Sequence, residues 1–168
     1  YKRQRSLAAA RAATEPVSGA TFARFLPEWH SIAPAGKRPA LRGADGVFSV
    51  IEQLAGVRLP ASAWESLILP ARVGDYSPTM LDELTSNGEV LILGAGKAGA
   101  ADPWIMLLPS DYAAQLAPET DAEGVSMLQR AILDVLGRGG GFLFADIAAE
   151  APGTTEETRE ALWGLVEM

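Results

Sequence analysis

The sequence predicts a mostly helical α+β fold, on three observations. Residues 75–108, DYSPTMLDELTSNGEVLILGAGKAGAADPWIMLL, read as a short helix, a tight turn, a strand, a Gly/Ala loop and a second strand. Apolar stripes at helical spacing precede that stretch. A further helical stripe follows residue 121 with no strand pair behind it. Helix, turn, strand, loop, strand is the back half of a winged helix. The chain is therefore read as tandem winged-helix modules, the first complete and the second truncated. Residues 1–15 are expected to be a basic connecting helix, 16–118 a winged-helix domain with extra N-terminal helices, and 119–168 the start of a second winged-helix domain.

Taken in order, residues 2–14, KRQRSLAAARAAT, are alanine-rich and basic, which favours helix on propensity alone. Lys2, Arg3, Arg5 and Arg11 are candidates for phosphate contact, beside a plain connecting role. Glu15-Pro16 breaks this segment. Ser18 caps GATFARFLPEWHSI, whose Phe22, Phe25, Leu26 and Trp29 are expected on a buried side. Residues 33–42, APAGKRPALR, form a Pro/Gly/basic loop with Lys37, Arg38 and Arg42 as further phosphate candidates. Gly43-Ala44-Asp45 starts the next helix, in which Val47, Val50, Ile51 and Leu54 share one face; Gly56 ends it. Pro60 opens ASAWESLILPARV, with Trp64, Leu67 and Ile68 expected inward, and Pro70 stops it.

In the central stretch, Ser77 or Asp75 caps the helix and Pro78 takes its first position, where a missing N–H costs nothing. Met80, Leu81 and Leu84 form its apolar face, and Asn87-Gly88 ends it. This helix takes the recognition position. Val90–Leu93 and Trp104–Leu108 are the strands, and residues 94–103 the wing. PSDYAAQLAPET is then a short helix and a linker. Val125, Leu128, Ile132, Val135 and Leu136 make the later stripe, ended by Gly137 and Gly139–Gly141. Phe142–Ile147 begins a short helix or strand, and Thr154/Thr155 cap TEETREALWGLVEM.

Chemistry is sparse. Gly94, Gly96 and Gly99 match G-x-G-x-x-G after a strand, but a pyrophosphate cradle needs a helix to begin at the third glycine. Asp102-Pro103 follows at once and the chain returns to strand, so the run is read as a hairpin loop with Lys97 near its tip. There is no G-x-S-x-G, H-E-x-x-H or G-x-x-x-x-G-K-[ST]. His30 is the only histidine and cysteine is absent, which leaves a Ser/His/Asp triad little support, excludes a thiolate metal site and makes a surface or capping role the expectation for His30. Asp82 and Glu83 are adjacent on a helix and diverge by about 100°. No catalytic residue and no cofactor is expected within this segment. That acidic pair also argues against major-groove reading, where helices present Arg, Asn or Gln. The helix is read as architectural.

Charge divides along the chain. Residues 1–42 hold eight Lys/Arg against Glu15 and Glu28, a balance of +6, so the remaining 126 residues carry −13 of a total of −7. An acidic body repels nucleic acid and a basic leading arm attracts it, so phosphate contact is expected from the first quarter. The chain begins without Met, ends within a helical pattern, and is read as a piece of a longer protein. No apolar run approaches a membrane span and no signal peptide is present, so a cytoplasmic, nucleoid-associated setting is expected.

PVSGATFARFLPEWH and GADGVFSVIEQLAGVRLPASAWESLILPARVGDYSPTMLDELTSNGEVL resemble the C-terminal region of the bacterial large helicase-related (Lhr) proteins. ILDVLGRGGGFLFADI and EALWGLVEM are similar to the following module of that family, and LPARVGDYSPTMLDEL is the most specific run. The resemblance implies an ATP-dependent superfamily 2 helicase, moving 3′ to 5′ on single-stranded DNA and unwinding duplexes that include RNA:DNA hybrids. Its ATP and Mg site would lie in an upstream motor absent from these residues. It also implies a winged-helix, DNA-glycosylase-like architecture, contacts with neighbouring domains of the same chain, and assembly into homo-oligomers. No active-site residue is carried over, because no motif here locates one.

Overall fold

Residues 43–109 build the order helix, strand, helix, helix, strand, strand, with the last three elements folded back over the first. The computed structural model describes residues 16–32, 37, 39–97, 102–117, 124–139 and 141–168.

Helix α1 (Gly19–Trp29) is capped as expected, with the Ser18 hydroxyl accepting from the Thr21 amide at 3.1 Å. Its aromatic face is not buried. Phe22, Phe25 and Trp29 are 52%, 47% and 59% exposed, and only Leu26 is half-covered. The spacing defines an apolar face correctly but carries no information on what covers it. Among the described residues nothing does. The tie from α1 to the next helix is polar: the Gln53 side-chain amide donates to the Trp29 carbonyl at 2.7 Å.

Helix α2 (Gly43–Gln53) buries Val47, Val50 and Ile51. Arg42 occupies its cap position without a capping side-chain bond. The Gly43 amide instead donates to Asp75 Oδ1 at 3.0 Å, and the Gly74 amide reaches the Leu41 carbonyl at 2.9 Å. Asp75 thus caps a helix thirty-two residues upstream rather than its own. Asp75→Ala is expected to lower stability by about 1 kcal/mol, the usual worth of a cap. Urea denaturation checks this; an unchanged midpoint removes the fastening role.

Strand β1 (Leu59–Pro60) is only two residues long and was not visible as a strand. It leads into α3 (Ala61–Ala63), which widens into a π-helical turn over Trp64–Ile68, closed by the Leu69 amide on the Trp64 carbonyl at 2.9 Å. The wider turn shifts the facing of later side chains. Trp64 and Leu69 are buried, whereas Leu67 is 65% exposed, correcting its expected inward position.

Helix α4 (Pro78–Ser86) has Pro78 at its start and buries Leu81 and Leu84. Ser77 sits at the cap position, but its hydroxyl lies 3.0 Å from that of Thr79 and makes no cap bond. Asn87 and Gly88, the latter at φ +78°, end the helix. Strands β2 (Val90–Lys97) and β3 (Pro103–Pro109) pair antiparallel, with Val90 opposite Pro109, Gly94 opposite Ile105 and Lys97 opposite Pro103. The sheet order is β1-β3-β2. The strand runs through Gly94–Lys97, with an irregularity in register there, so the wing starts later than residue 94. Val47, Val50, Ile51, Trp64, Leu69, Val73, Leu81, Leu84, Val90 and Leu107 form the core beneath the sheet.

After β3, a 3-10 turn (Ser110–Tyr112) and α5 (Ala113–Leu116) follow. Helix α6 (Met127–Leu136) opens on a Ser126/Gln129 capping box and α8 (Thr155–Val166) on a Thr154/Glu157 box. Between them, Phe144–Glu150 is helix α7. Ile132, Val135, Ile147 and Ala151 form a second, separate core.

Candidate nucleic-acid interface

In a winged helix, nucleic acid is ordinarily met by the helix before the hairpin and by the wing. Here α4 has the sequence PTMLDELTS, with no basic side chain, and presents exposed Asp82 and Glu83 outward. Burial turns Leu81 and Leu84 inward, so the acidic pair is necessarily the solvent face. Glu89, just beyond the helix, is also exposed and fastened to Asn87, whose side-chain amide donates to Glu89 Oε1 at 2.6 Å. Phosphates approaching this surface meet like charge. Behind it, the Tyr76 hydroxyl is pushed up to about 12, by burial first and then by Glu65 and Asp82. Tyr76 therefore stays neutral and adds no negative charge. Desolvation lowers the half-buried Arg72 from its ordinary value.

The wing is engaged from within the chain. Lys97 Nζ lies 2.7 Å from Glu167 Oε2 at the end of α8. A Cβ added at Gly94 would collide with the Val166 carbonyl oxygen, a clash no side chain tolerates. Gly96 holds φ +100°, a left-handed backbone that favours glycine. Two glycines of the phosphate-loop-like run thus have structural reasons: one admits a helix end, the other bends a strand. Gly99 lies outside the described residues.

Three of the proposed phosphate ligands, Lys37, Arg42 and Lys97, lie among the described residues. Lys37 is exposed in the loop before α2, and Arg42 is exposed at the start of α2. Neither is in an ion pair among the described residues. Lys97 is the last residue of β2, at the wing. Lys2, Arg3, Arg5, Arg11 and Arg38 lie outside the described residues. The Lys97–Glu167 pair is largely exposed on the lysine side, and such pairs are worth about 0–1 kcal/mol. Among the described residues, no group of three or more His, Asp or Glu is placed to hold a metal ion, and no helix is long and apolar enough to cross a membrane.

At the base of the wing, Asp102 accepts from the Ser62 amide at 3.0 Å and from its hydroxyl at 2.7 Å. Those two bonds, the amide first, hold its carboxyl below the ordinary 3.8. A depressed carboxylate stabilises the fold above its unfolded value and loses that contribution as pH falls through the folded value. In Ser62→Ala the Asp102 carboxyl is expected to titrate closer to 3.8, and an NMR titration of its carboxyl carbon reads the shift directly. Titration unchanged by the substitution sinks the assignment. The sequence reading missed this latch, the seat of α8 on β2, and a cavity beside Arg58 and Trp104.

Residues 17–110 match the family model for the winged-helix domain of large helicase-related protein. Over 170 residues the chain is 45% identical to a protein of Mycolicibacterium smegmatis named Lhr helicase/probable uracil glycosylase, covering 98% of this chain and 11% of that protein. Over 182 residues it is 46% identical to Lhr helicase/uracil glycosylase of Escherichia coli strain K12, covering 98% of this chain and 12% of that protein. The chain therefore spans about a ninth of the length of these relatives. Taken with the β1-β3-β2 sheet packed on three helices, the match is conclusive: the chain belongs to the large helicase-related family, and residues 17–110 are its winged-helix domain.

Proposed function

We propose that this chain is an accessory winged-helix segment of a large superfamily 2 ATP-dependent helicase acting in DNA repair. It contacts nucleic acid through basic side chains outside α4. The observation that carries this reading is the basic balance of residues 1–42, +6 against −13 for the remaining residues. The acidic outward face of α4, Asp82 and Glu83, directs phosphate away from the recognition-position helix. On this reading Lys2, Arg3, Arg5, Arg11, Lys37, Arg38 and Arg42 meet the backbone of single-stranded DNA or an RNA:DNA hybrid. Lys97 joins them when a phosphate replaces Glu167. ATP and Mg belong to a motor elsewhere in the parent protein, and the segment itself performs no catalysis. Its domain plan is a basic connecting helix over 1–15, a winged helix over 16–118 and a truncated second winged helix over 119–168. The separate core of α6, α7 and α8 supports the last division.

A second reading is an oligomerisation or scaffold module without nucleic-acid contact; the −13 balance of the residues after 42, the acidic Asp82-Glu83 face and the exposed Phe22, Phe25 and Trp29 on α1 favour it. A part in a DNA-glycosylase-like unit rests on the relatives' names alone. A salt series of single-stranded DNA binding separates the first two. The parent chain is compared with a variant carrying Lys2, Arg3, Arg5, Lys37 and Arg38 as alanine. Log affinity is expected to fall with log salt by about 0.7 per phosphate neutralised, with a shallower slope in the variant. Absence of binding by both proteins at low salt leaves assembly as the function.

A further inference from the structure

Outside the surfaces described above, a cavity of 270 Å³ opens between Arg58 and Trp104. Arg58 is the residue before β1, and Trp104 is the β3 residue paired with Pro60 of β1. Alternation along β3 sends Ile105 and Leu107 to the main core and Trp104 to the opposite side of the sheet. The Trp104 indole is only half-buried, so part of it borders the opening. Arg58 is exposed and is in no ion pair among the described residues. The backbone around the opening is fixed twice. Trp104 sits in the ladder with Pro60, and Asp102 is latched to Ser62 by two hydrogen bonds.

A second cavity, 380 Å³, lies beside Phe144, Leu162 and Trp163. Arg159 there is paired with Glu156 and lies over the Phe144 ring at 5.3 Å. The rest of its described lining is apolar. Beside Arg58 a guanidinium in no ion pair among the described residues and an indole border the same opening.

We propose that the Arg58–Trp104 cavity is a subsite for one nucleotide of a single-stranded nucleic acid, its base stacked on Trp104 and its phosphate held by Arg58. The inference rests on the nucleic-acid reading of the preceding section and deepens it. An indole offers a stacking face to any base, and a guanidinium matches phosphate with two parallel donors. Ligand pockets commonly run from about 300 to 1,000 Å³, so this cavity takes a single ring system and not a longer stretch of chain. Because stacking is tolerant of base identity, the subsite grips without reading sequence. That property suits a domain whose α4 is unsuited to base reading.

The test uses a fluorescein-labelled oligo(dT) and an otherwise identical oligonucleotide with abasic positions. Each is titrated with the chain and with Trp104→Leu, Trp104→Phe, Arg58→Gln and Arg58→Lys. The chain is expected to bind oligo(dT) about tenfold more tightly than the abasic strand, the worth of one stacked base. Trp104→Leu should erase that difference and Trp104→Phe should keep most of it. Arg58→Gln should flatten the salt slope by about 0.7, one phosphate on a single strand, and Arg58→Lys should restore it. Equal, salt-dependent affinity for both strands in the chain itself overturns the subsite while leaving the nucleic-acid reading standing. Absence of binding to either strand overturns both. If Trp104→Leu fails to fold by circular dichroism, the two-strand comparison on the chain and the Arg58 pair still decide.

Discussion

Gly94→Val is expected to unseat α8 from the wing. The new Cβ would collide with the Val166 carbonyl oxygen and stand 2.8 Å from Val166 Cα. Both are backbone atoms at the end of a helix, so no rotamer change relieves the clash. Either β2 bends away or the last turn of α8 moves, and in both cases Lys97 and Glu167 separate. Overpacking of this kind costs about 1–3 kcal/mol. Lys97→Ala removes only the ion pair and should cost less than about 1 kcal/mol. Hydrogen exchange distinguishes the two. Gly94→Val should accelerate exchange in residues 155–168 while Val47, Val50 and Ile51 of α2 remain protected. Unchanged protection of 155–168 contradicts the seat.

Trp64→Ala should be the most damaging single change in the first core. Trp64 is 1% exposed and packs among Val47, Val50, Ile51, Leu69 and Leu107, at the start of the π-helical turn. Removing a buried indole leaves a cavity and costs about 3–5 kcal/mol. Against a total of about 5–15 kcal/mol for a domain, that is enough to unfold much of the population at 37 °C. Trp64→Phe should be far milder. It retains most of the apolar volume and deletes an indole N–H that has no hydrogen-bond partner in the structure. Thermal unfolding followed by near-UV circular dichroism gives the comparison. A Trp64→Ala midpoint within a few degrees of the unsubstituted chain removes Trp64 from the centre of this core.

The helices and hairpin of residues 43–109 were legible because their information is local. Val47, Val50 and Ile51 mark one face by spacing, Pro78 and Asn87-Gly88 bracket α4, and β-formers flank a glycine loop. What escaped depends on distant partners. Leu59-Pro60 is a strand only because Ile105 and Trp104 lie beside it. Leu67 turns outward because the helix carrying it widens to a π turn, which no spacing of apolar residues announces. Phe22, Phe25 and Trp29 have the periodicity of a buried face, yet burial is a property of a partner and not of a pattern. The run from Gly94 was read as a hairpin loop and not a phosphate cradle, but nothing local announced that β2 continues through it or that the space at Gly94 belongs to a helix end. For the candidate interface, the absence of basic residues on α4 was readable from the sequence. The pairing of Lys97 with Glu167, seventy residues later, was not.

The acidic face of α4 and the basic charge of residues 1–42 lead to one central claim, that nucleic acid approaches this winged helix away from its recognition-position helix. Hydrogen–deuterium exchange of the chain with and without single-stranded DNA tests it most directly. The account predicts slower exchange on binding in residues 1–15 and 37–42, with residues 78–89 unchanged. Protection concentrated in residues 78–89, with no change in the basic segments, would contradict it.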